Sequence, residues 1–351
     1  MRRVDFDITA PSSEYSALIG ERIEEFSDAL LSALRGRNAL ILSDGGASSA
    51  ALDAIKAILD GGGICHSVLI INGGERAKSF SSLDSVLTEL ISANFTRNDI
   101  IINLGGGVIG DLGGFAASIY MRGIDYINIP TTMLSMIDSS IGGKTGIDHF
   151  GVKNIIGAFH QPQLVICATR FLDSLPEREI RSGFGEALKY YCLSASADIE
   201  SAILARHADS TLIEECCKIK RDCVCSDVLD FGRRRLLNLG HTFGHAFEAS
   251  SGFELSHGEA VAMGLVAAMR FGEQIGFTER GVAQRIEALV THLGMSADYS
   301  EYSSSASEFI THDKKKDSAC IEMAFIESFG KPLLKRVPIE AAAAFLLSSA
   351  L

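Results

Sequence analysis

The chain has 351 residues, 47% of them hydrophobic and 22% charged, the composition of an ordinary soluble globular protein with room for two domains. Its net charge of −12 excludes a general nucleic-acid-binding surface, so an anionic ligand needs a local cluster of cations. No run approaches the roughly 18–20 apolar residues of a membrane helix, and the start lacks a signal peptide's apolar core.

The first 170 residues alternate short apolar runs with amphipathic stretches. Strands are expected at Val4–Ile8, Ala39–Leu42, Ser67–Ile71, Ile100–Asn103, Tyr126–Ile129 and Leu164–Cys167, with helices at Ser16–Leu34, Ser49–Leu59 and Ser82–Ala93. This alternation predicts an α/β layer fold with a mostly parallel sheet. Past Leu172, helical periodicity takes over in Glu177–Tyr191, Ala197–Ala205, Thr211–Val228, Leu236–Ala249, Glu259–Ile275 and Glu279–Leu293. The expected organisation is an α/β domain over residues 1–170 followed by an all-helical domain over residues 171–351. Ser300–Ser307 reads as a solvated serine-rich loop. The eight cysteines, with Cys216-Cys217 and Cys223-x-Cys225 among them, fit neither a zinc pattern nor a small disulfide scaffold; reduced thiols in a cytosolic protein are expected.

Five stretches carry chemistry. Asn103-Leu-Gly105-Gly106-Gly107-Val-Ile-Gly110-Asp111 follows a strand and leads into a helix, where glycines let backbone amides approach a pyrophosphate. A Rossmann fingerprint sits on the first βα turn, whereas this one lies about a hundred residues in, so a tight structural turn is the competing reading. Pro130-Thr131-Thr132 puts two hydroxyls at the next strand end. Asp138-Ser-Ser-Ile-Gly-Gly-Lys144-Thr-Gly lacks the first glycine of a P-loop, yet Lys144, Lys153 and Asn154 can grip a phosphate. Glu186 and Lys189, three apart, share a helix face, as a structural ion pair or as ligand groups. His241 and His245 are four apart on a helical pattern, and His257 opens the next apolar segment. Three histidines and a carboxylate suit a divalent metal; hydrogen-bonded core histidines are the alternative.

In this order the motifs resemble the 3-dehydroquinate synthase family, a branch of the sugar-phosphate cyclases. The matching stretches are Gly-Gly-Gly-Val-Ile-Gly-Asp, Tyr120-Met-Arg122-Gly, Pro-Thr-Thr-x-Leu, Asp-Ser-Ser-x-Gly-Gly-Lys-Thr-Gly, Lys-Asn-x-Ile-Gly-Ala-Phe, Glu-x-x-Lys-Tyr, Leu-Leu-Asn-x-Gly-His-x-x-Gly-His and His-Gly-Glu-Ala-Val. The resemblance implies a Rossmann-like domain joined to an all-α domain, NAD, a divalent metal (zinc, with cobalt as the alternative) and a homodimer. It implies the conversion of 3-deoxy-D-arabino-heptulosonate 7-phosphate to 3-dehydroquinate and phosphate, in aromatic amino-acid biosynthesis. Carried over motif by motif, Glu186, His241 and His257 would hold the metal. Asp44, Glu75, Lys78, Gly105, Gly106, Gly107, Asp111, Thr131, Thr132, Lys144 and Lys153 would hold NAD. Lys144, Asn154, His245, one of Lys314 or Lys315, and Arg122 reaching across the dimer would hold the phosphate. Asp138, Lys189, Lys220, Arg234 and Asn238 would contact the substrate's hydroxyls and carboxylate, with His245 relaying a proton near neutral pH. The chain departs from the family pattern at Gly151, shifted from its usual place just before Lys153, at Gly185, where alanine is commoner, and in the lysine register of Lys314–Lys316. A sister cyclase, a metal-dependent polyol dehydrogenase and a non-catalytic NAD-binding scaffold are the rival readings.

Overall fold

Strands buried on both faces of a sheet need nearly continuous apolar runs, and β2 (Ala39–Ser43), β4 (Ile100–Gly105) and β5 (Asp125–Pro130) supply them. In the computed structural model, which describes residues 14–45, 49–72, 74–313 and 319–348, these strands form the middle of a six-stranded sheet. The other members are β1 (Ser16–Gly20), β3 (His66–Ile70) and β8 (Leu164–Ala168), in the order β1-β8-β5-β4-β2-β3. Every pairing in it is parallel, so all the carboxyl ends lie along one edge. From β2 the chain passes outward to β3, then returns to the other side of β2 to lay down β4 and β5. The strand order reverses between β2 and β4, and in open parallel sheets ligands bind in the crevice at that point.

Alternation along the strands sends side chains to two cores. Leu40, Leu42 and Ile101 pack with α3 (Phe80–Ser92) and α4 (Gly107–Ile119). Ile41, Ile102 and Ile127 face α2 (Ser49–Gly61) and merge with the helices of the C-terminal half. Between β5 and β8 the chain makes a π-helical turn, Ser135–Ser139, and an antiparallel hairpin of β6 (Lys144–His149) and β7 (Val152–Phe159).

The C-terminal half is predominantly helical: α5 (Glu177–Ser194), α6 (Ala197–Ala205), α7 (Ser210–Ser226), α8 (His241–Ser250), α9 (His257–Ile275), α10 (Val282–His292), α11 (Ser303–Asp313) and α12 (Ile339–Ser348). α9 is its axis. Alanine, glycine and valine bury it on nearly all sides, and Ser256 starts it with a capping box: its hydroxyl accepts from the Glu259 amide while the Glu259 carboxylate takes the Ser256 amide at 2.8 Å. His257 is therefore the first residue of a rigid helix.

Four differences from the sequence reading have local causes. The helix expected at Ser16–Leu34 is divided into β1, a 3-10 turn and α1 (Ser27–Ala33); a five-residue run has no decisive period, and pairing with β8 settles it. The glycine-rich stretch around Gly146 and Gly157 is a hairpin, because these two residues oppose each other and bring the strands together where a side chain would strike backbone. The serine loop at Ser300–Ser307 is a 3-10 turn leading into α11. The helical half also carries an antiparallel hairpin, β9 (Cys320–Ile326) and β10 (Pro332–Pro338). Val4–Ile8 lies outside the described residues. Cys65, Cys167, Cys192, Cys216, Cys217, Cys223 and Cys225 are free thiols, and among the described residues no helix is long and apolar enough to cross a membrane.

Candidate active site

Three helices deliver the central cluster. Glu186 lies mid-way along α5 and is fully buried, His241 is the first residue of α8, and His257 is the first residue of α9. One carboxylate oxygen, Glu186 Oε1, stands 3.3 Å from His241 Nε2 and 3.2 Å from His257 Nε2. Atoms ligating one tetrahedral zinc at 2.0–2.1 Å lie about 3.3 Å apart, so these three converge at the spacing an ion requires. Neither oxygen of Glu186 receives a well-directed hydrogen bond, an unusual state for a buried carboxylate and the state expected of a ligand group. His241 Nδ1 is 3.1 Å from the Leu239 carbonyl, a contact that orients the ring with Nε2 toward Glu186. The donor set and its geometry fit a divalent cation. His245, Nε- and Nδ-bearing like its neighbours, completes a group of three imidazoles whose ligand atoms lie within 4.8 Å of one another.

Close backbone contact sets this geometry. α5 and α9 touch at Gly185 and Gly258, the residues beside Glu186 and His257. A Cβ on Gly185 would lie 2.1 Å from the Gly258 carbonyl oxygen, and one on Gly258 would lie 1.8 Å from that of Ser182. The departure noted at Gly185 therefore coincides with the helix crossing that seats two of the three clustered residues, Glu186 and His257.

Next to the carboxylate lies a buried charge chain. Lys189 Nζ is 2.6 Å from Glu186 and 2.9 Å from Asp138, and Lys220 bonds both the carboxylate and, at 2.6 Å, the carbonyl of Asp138. Burial alone would raise the Asp138 carboxyl, but Lys189 and Lys220 outweigh it and hold it below the ordinary carboxylate range. Burial opposes ionisation of Glu186 too, and Lys189 with His241 and His257 reverses that. Lys189, which burial would discharge, keeps its proton because both carboxylates face it. His245 is held below the usual histidine range, first by desolvation and then by His241 and His257, so its ring is neutral at working pH and accepts a proton only weakly.

The second group gathers at the carboxyl edge of the sheet. Asp44 follows β2, Gly105, Gly106 and Gly107 turn from β4 into the amino end of α4, and Thr131 and Thr132 follow β5. The Thr131 amide bonds the Gly105 carbonyl at 3.0 Å, which joins the two turns into one cradle. Lys78 Nζ lies 2.8 Å from Asp111 and also donates to Asn154 Oδ1. Glu75 reaches Lys153 at 3.4 Å.

The remaining expected residues divide. Lys144 projects from the hairpin and pairs with Asp230. Arg234 is buried, with its guanidinium spent on the carbonyls of Gly142 and Val228 at 2.7 Å each, so here it shapes the turn before Lys144. Asn238 is exposed just ahead of α8. Arg122 is not brought to the site within one chain: it precedes β5, whose six residues span about 20 Å before Thr131 is reached. Lys314 and Lys315 lie outside the described residues. One residue carried no expectation from the sequence. Glu248, seven residues after His241 and so on the same face of α8, places Oε1 3.0 Å from Lys153 and Oε2 3.7 Å from His257 Nδ1. Its spacing from His241 is the signal that could have found it.

Comparison with known proteins bears on this arrangement directly. Residues 68–182 match the profile described as 3-dehydroquinate synthase N-terminal, and residues 183–316 match 3-dehydroquinate synthase C-terminal. The chain belongs to the 3-dehydroquinate synthase family. It is 40% identical over 320 residues to the 3-dehydroquinate synthase of Rhodospirillum rubrum, covering 86% of this chain and 83% of that one. It is 39% identical to that of Clostridium perfringens, over 78% and 80% of the two chains. The fold is shared with a 2-deoxy-scyllo-inosose synthase solved with carbaglucose-6-phosphate, NAD+ and Co2+ (TM-score 0.85, 23% identity, 95% and 96% coverage). It is shared as well with the 2-epi-5-epi-valiolone synthase of Streptomyces hygroscopicus solved with NAD+ and Zn2+ (0.86, 24%, 98% and 99%). An iron-containing alcohol dehydrogenase from Thermotoga maritima shares it more loosely (0.62, 16%, 98% and 99%).

Proposed function

We propose that this chain is a carbon–oxygen lyase that converts 3-deoxy-D-arabino-heptulosonate 7-phosphate to 3-dehydroquinate and phosphate, using NAD catalytically and a divalent metal. The observation that carries this reading is the meeting of Glu186 Oε1 with His241 and His257 beside a buried lysine–aspartate chain, at the carboxyl edge of a parallel sheet. Glu186, His241 and His257 would hold zinc or cobalt, which would acidify a substrate hydroxyl, while NAD would accept a hydride and later return it.

The chain's own groups do the rest. Amides of Gly105–Gly107 at the amino end of α4 receive the pyrophosphate, with Thr131, Thr132 and Asp44 around it. Asp138, kept anionic by Lys189 and Lys220, accepts hydrogen bonds from substrate hydroxyls and orients the ring. A ketone on that ring acidifies the neighbouring C–H. The departing phosphate can take this proton while Lys144 and Asn154, with Lys314 or Lys315, hold its charge. His245 stands by as a neutral imidazole for the hydroxyl proton. Arg122 of the partner subunit would complete the phosphate site in a homodimer. Residues 1–170 are read as the nucleotide domain and 171–351 as the metal and substrate domain.

The test is to incubate purified protein, NAD and cobalt with the heptulosonate phosphate while following inorganic phosphate and the absorbance of reduced nicotinamide together. Phosphate release without net NADH is expected, and chelation or His257→Ala should lower it by about a thousandfold or more. NADH formed in proportion to substrate, with no phosphate, would establish a dehydrogenase instead.

A further inference from the structure

We propose that Glu248 is a positioning residue that couples occupancy of the metal site to the binding of an anionic nucleotide at Lys153. This rests on the reading above for what the two sites hold; the coupling itself rests on the placement of one buried carboxylate.

Glu248 is 5% exposed and divides its two oxygens between the halves of the molecule. Oε1 accepts from Lys153 Nζ at 3.0 Å, and Lys153 comes from β7 in the N-terminal half. Oε2 faces His257 Nδ1 at 3.7 Å, and His257 opens α9. Lys153 is further fixed by Glu75 at 3.4 Å and by the Phe253 ring at 4.9 Å, and Glu75 leads on to Lys78 at 3.9 Å and thence to Asp111 at 2.8 Å. An unbroken run of alternating charges therefore extends from a metal-ligating histidine to the first turns of the helix that faces the nucleotide.

A carboxylate is planar, so a turn that improves one oxygen's contact moves the other. A cation on His257 Nε2 commits Nδ1 to donating toward Glu248, and a ring so committed draws Oε2 in from 3.7 Å. That turn moves Oε1 off its 3.0 Å contact with Lys153 and frees the ammonium to meet an incoming anion. By linkage the nucleotide must strengthen the cation's binding by the same factor. Histidine alone could not do this, because it does not touch Lys153; Lys153 alone could not, because it does not touch the ligand set.

The experiment is calorimetric titration of the full chain, which has no tryptophan to report by fluorescence, with NAD in the absence and presence of saturating cobalt, and with cobalt in the absence and presence of NAD. For the unaltered protein each ligand should tighten the other by about 5–10-fold. In Glu248→Gln, which keeps shape but loses the charge on Lys153, that factor should fall to about one, while cobalt alone binds about 10–100-fold more weakly because His257 loses its carboxylate partner. Lys153→Met breaks the same bridge from the other side and should also abolish the coupling, with cobalt affinity unchanged. If both ligands bind and neither affects the other, or if Glu248→Gln keeps the full factor, the coupling role is overturned and the proposed function is untouched. If the unaltered chain binds neither cobalt nor NAD, both are overturned.

Discussion

Replacing Gly258 by alanine probes whether backbone contact between α5 and α9 seats the proposed metal ligands. The new Cβ would lie 1.8 Å from the Ser182 carbonyl oxygen and 2.5 Å and 2.7 Å from the carbon atoms behind it, all of them main chain. Ordinary contact begins near 3.4 Å, so the amino end of α9 must retreat from α5 by about 1.6 Å. His257 is the neighbouring residue and moves with it, whereas coordination tolerates errors of only about 0.2 Å. Over-packing should cost about 1–3 kcal/mol of stability. Loss of one ligand residue from register should cost about a hundredfold or more in cobalt affinity. Competition with a coloured chelator measures the second quantity and thermal denaturation the first. Gly61→Ala, exposed at the end of α2 with nothing within 4 Å of the added carbon, is the control and should leave cobalt binding unchanged. A Gly258→Ala protein that binds cobalt within about threefold of the unaltered chain would refute the claim that this crossing positions the ligands.

Other outcomes follow from the charge chain. Lys189→Met removes the buried cation shared by Glu186 and Asp138, leaving Asp138 with Lys220 alone, and should destabilise the fold by about 3–5 kcal/mol in denaturant titration. At the opposite sheet edge, Asp99 accepts from the Asn38 amide at 2.7 Å and from the amide and hydroxyl of Thr96 at 2.6 and 2.8 Å. Burial would raise its carboxyl, but these donors hold it below the ordinary value, so its contribution is present above about pH 4 and lost as pH falls through the lower folded value. Asp99→Asn should cost about 1–3 kcal/mol at pH 7, with the gap to the unaltered protein closing in acid; a gap independent of pH would count against the assignment. Asp230→Asn releases Lys144 from its internal partner and should tighten inorganic phosphate by up to about fivefold, since partly exposed ion pairs are worth about 0–1 kcal/mol. Unchanged phosphate binding in that variant would show that Lys144 lies off the anion path.

Much of this was legible in the chain alone because it depends on period and order. The apolar runs at Ala39, Ile100 and Tyr126 are buried strands, and α5, α6, α7, α9 and α10 lie within a few residues of where helical spacing puts them. The residues that cluster around Glu186 were legible as candidates too, since histidines four apart and a glutamate three residues from a lysine are local patterns. What escaped was non-local. β1 is a strand only because β8 lies alongside it. Glu248 matters through Lys153, 95 residues away, and Lys144 finds Asp230 86 residues on. No window of sequence contains both members of such a pair. Arg234 adds another such contact: two of its donors go to the carbonyls of Val228 and Gly142, which only the folded loop brings near.

The net charge of −12 required a local cluster of cations, and the fold builds one, but it does not leave the cations bare. Lys78 rests on Asp111, Lys144 on Asp230, Lys153 on Glu248 and Glu75, Lys189 on Asp138 and Glu186, and Lys220 on Asp138. An incoming phosphate or carboxylate therefore exchanges one ion pair for another, and its net gain at any single lysine is small. A small monoanion can replace only one internal carboxylate at a time and gains little by doing so. A ligand gains appreciably only by spanning several lysines at once, with hydroxyls to spare for Asp138. If these lysines line the proposed substrate site, selectivity for a long, multiply charged polyol follows from cations that are already partnered, whereas a site of naked lysines on the same scaffold would bind any anion.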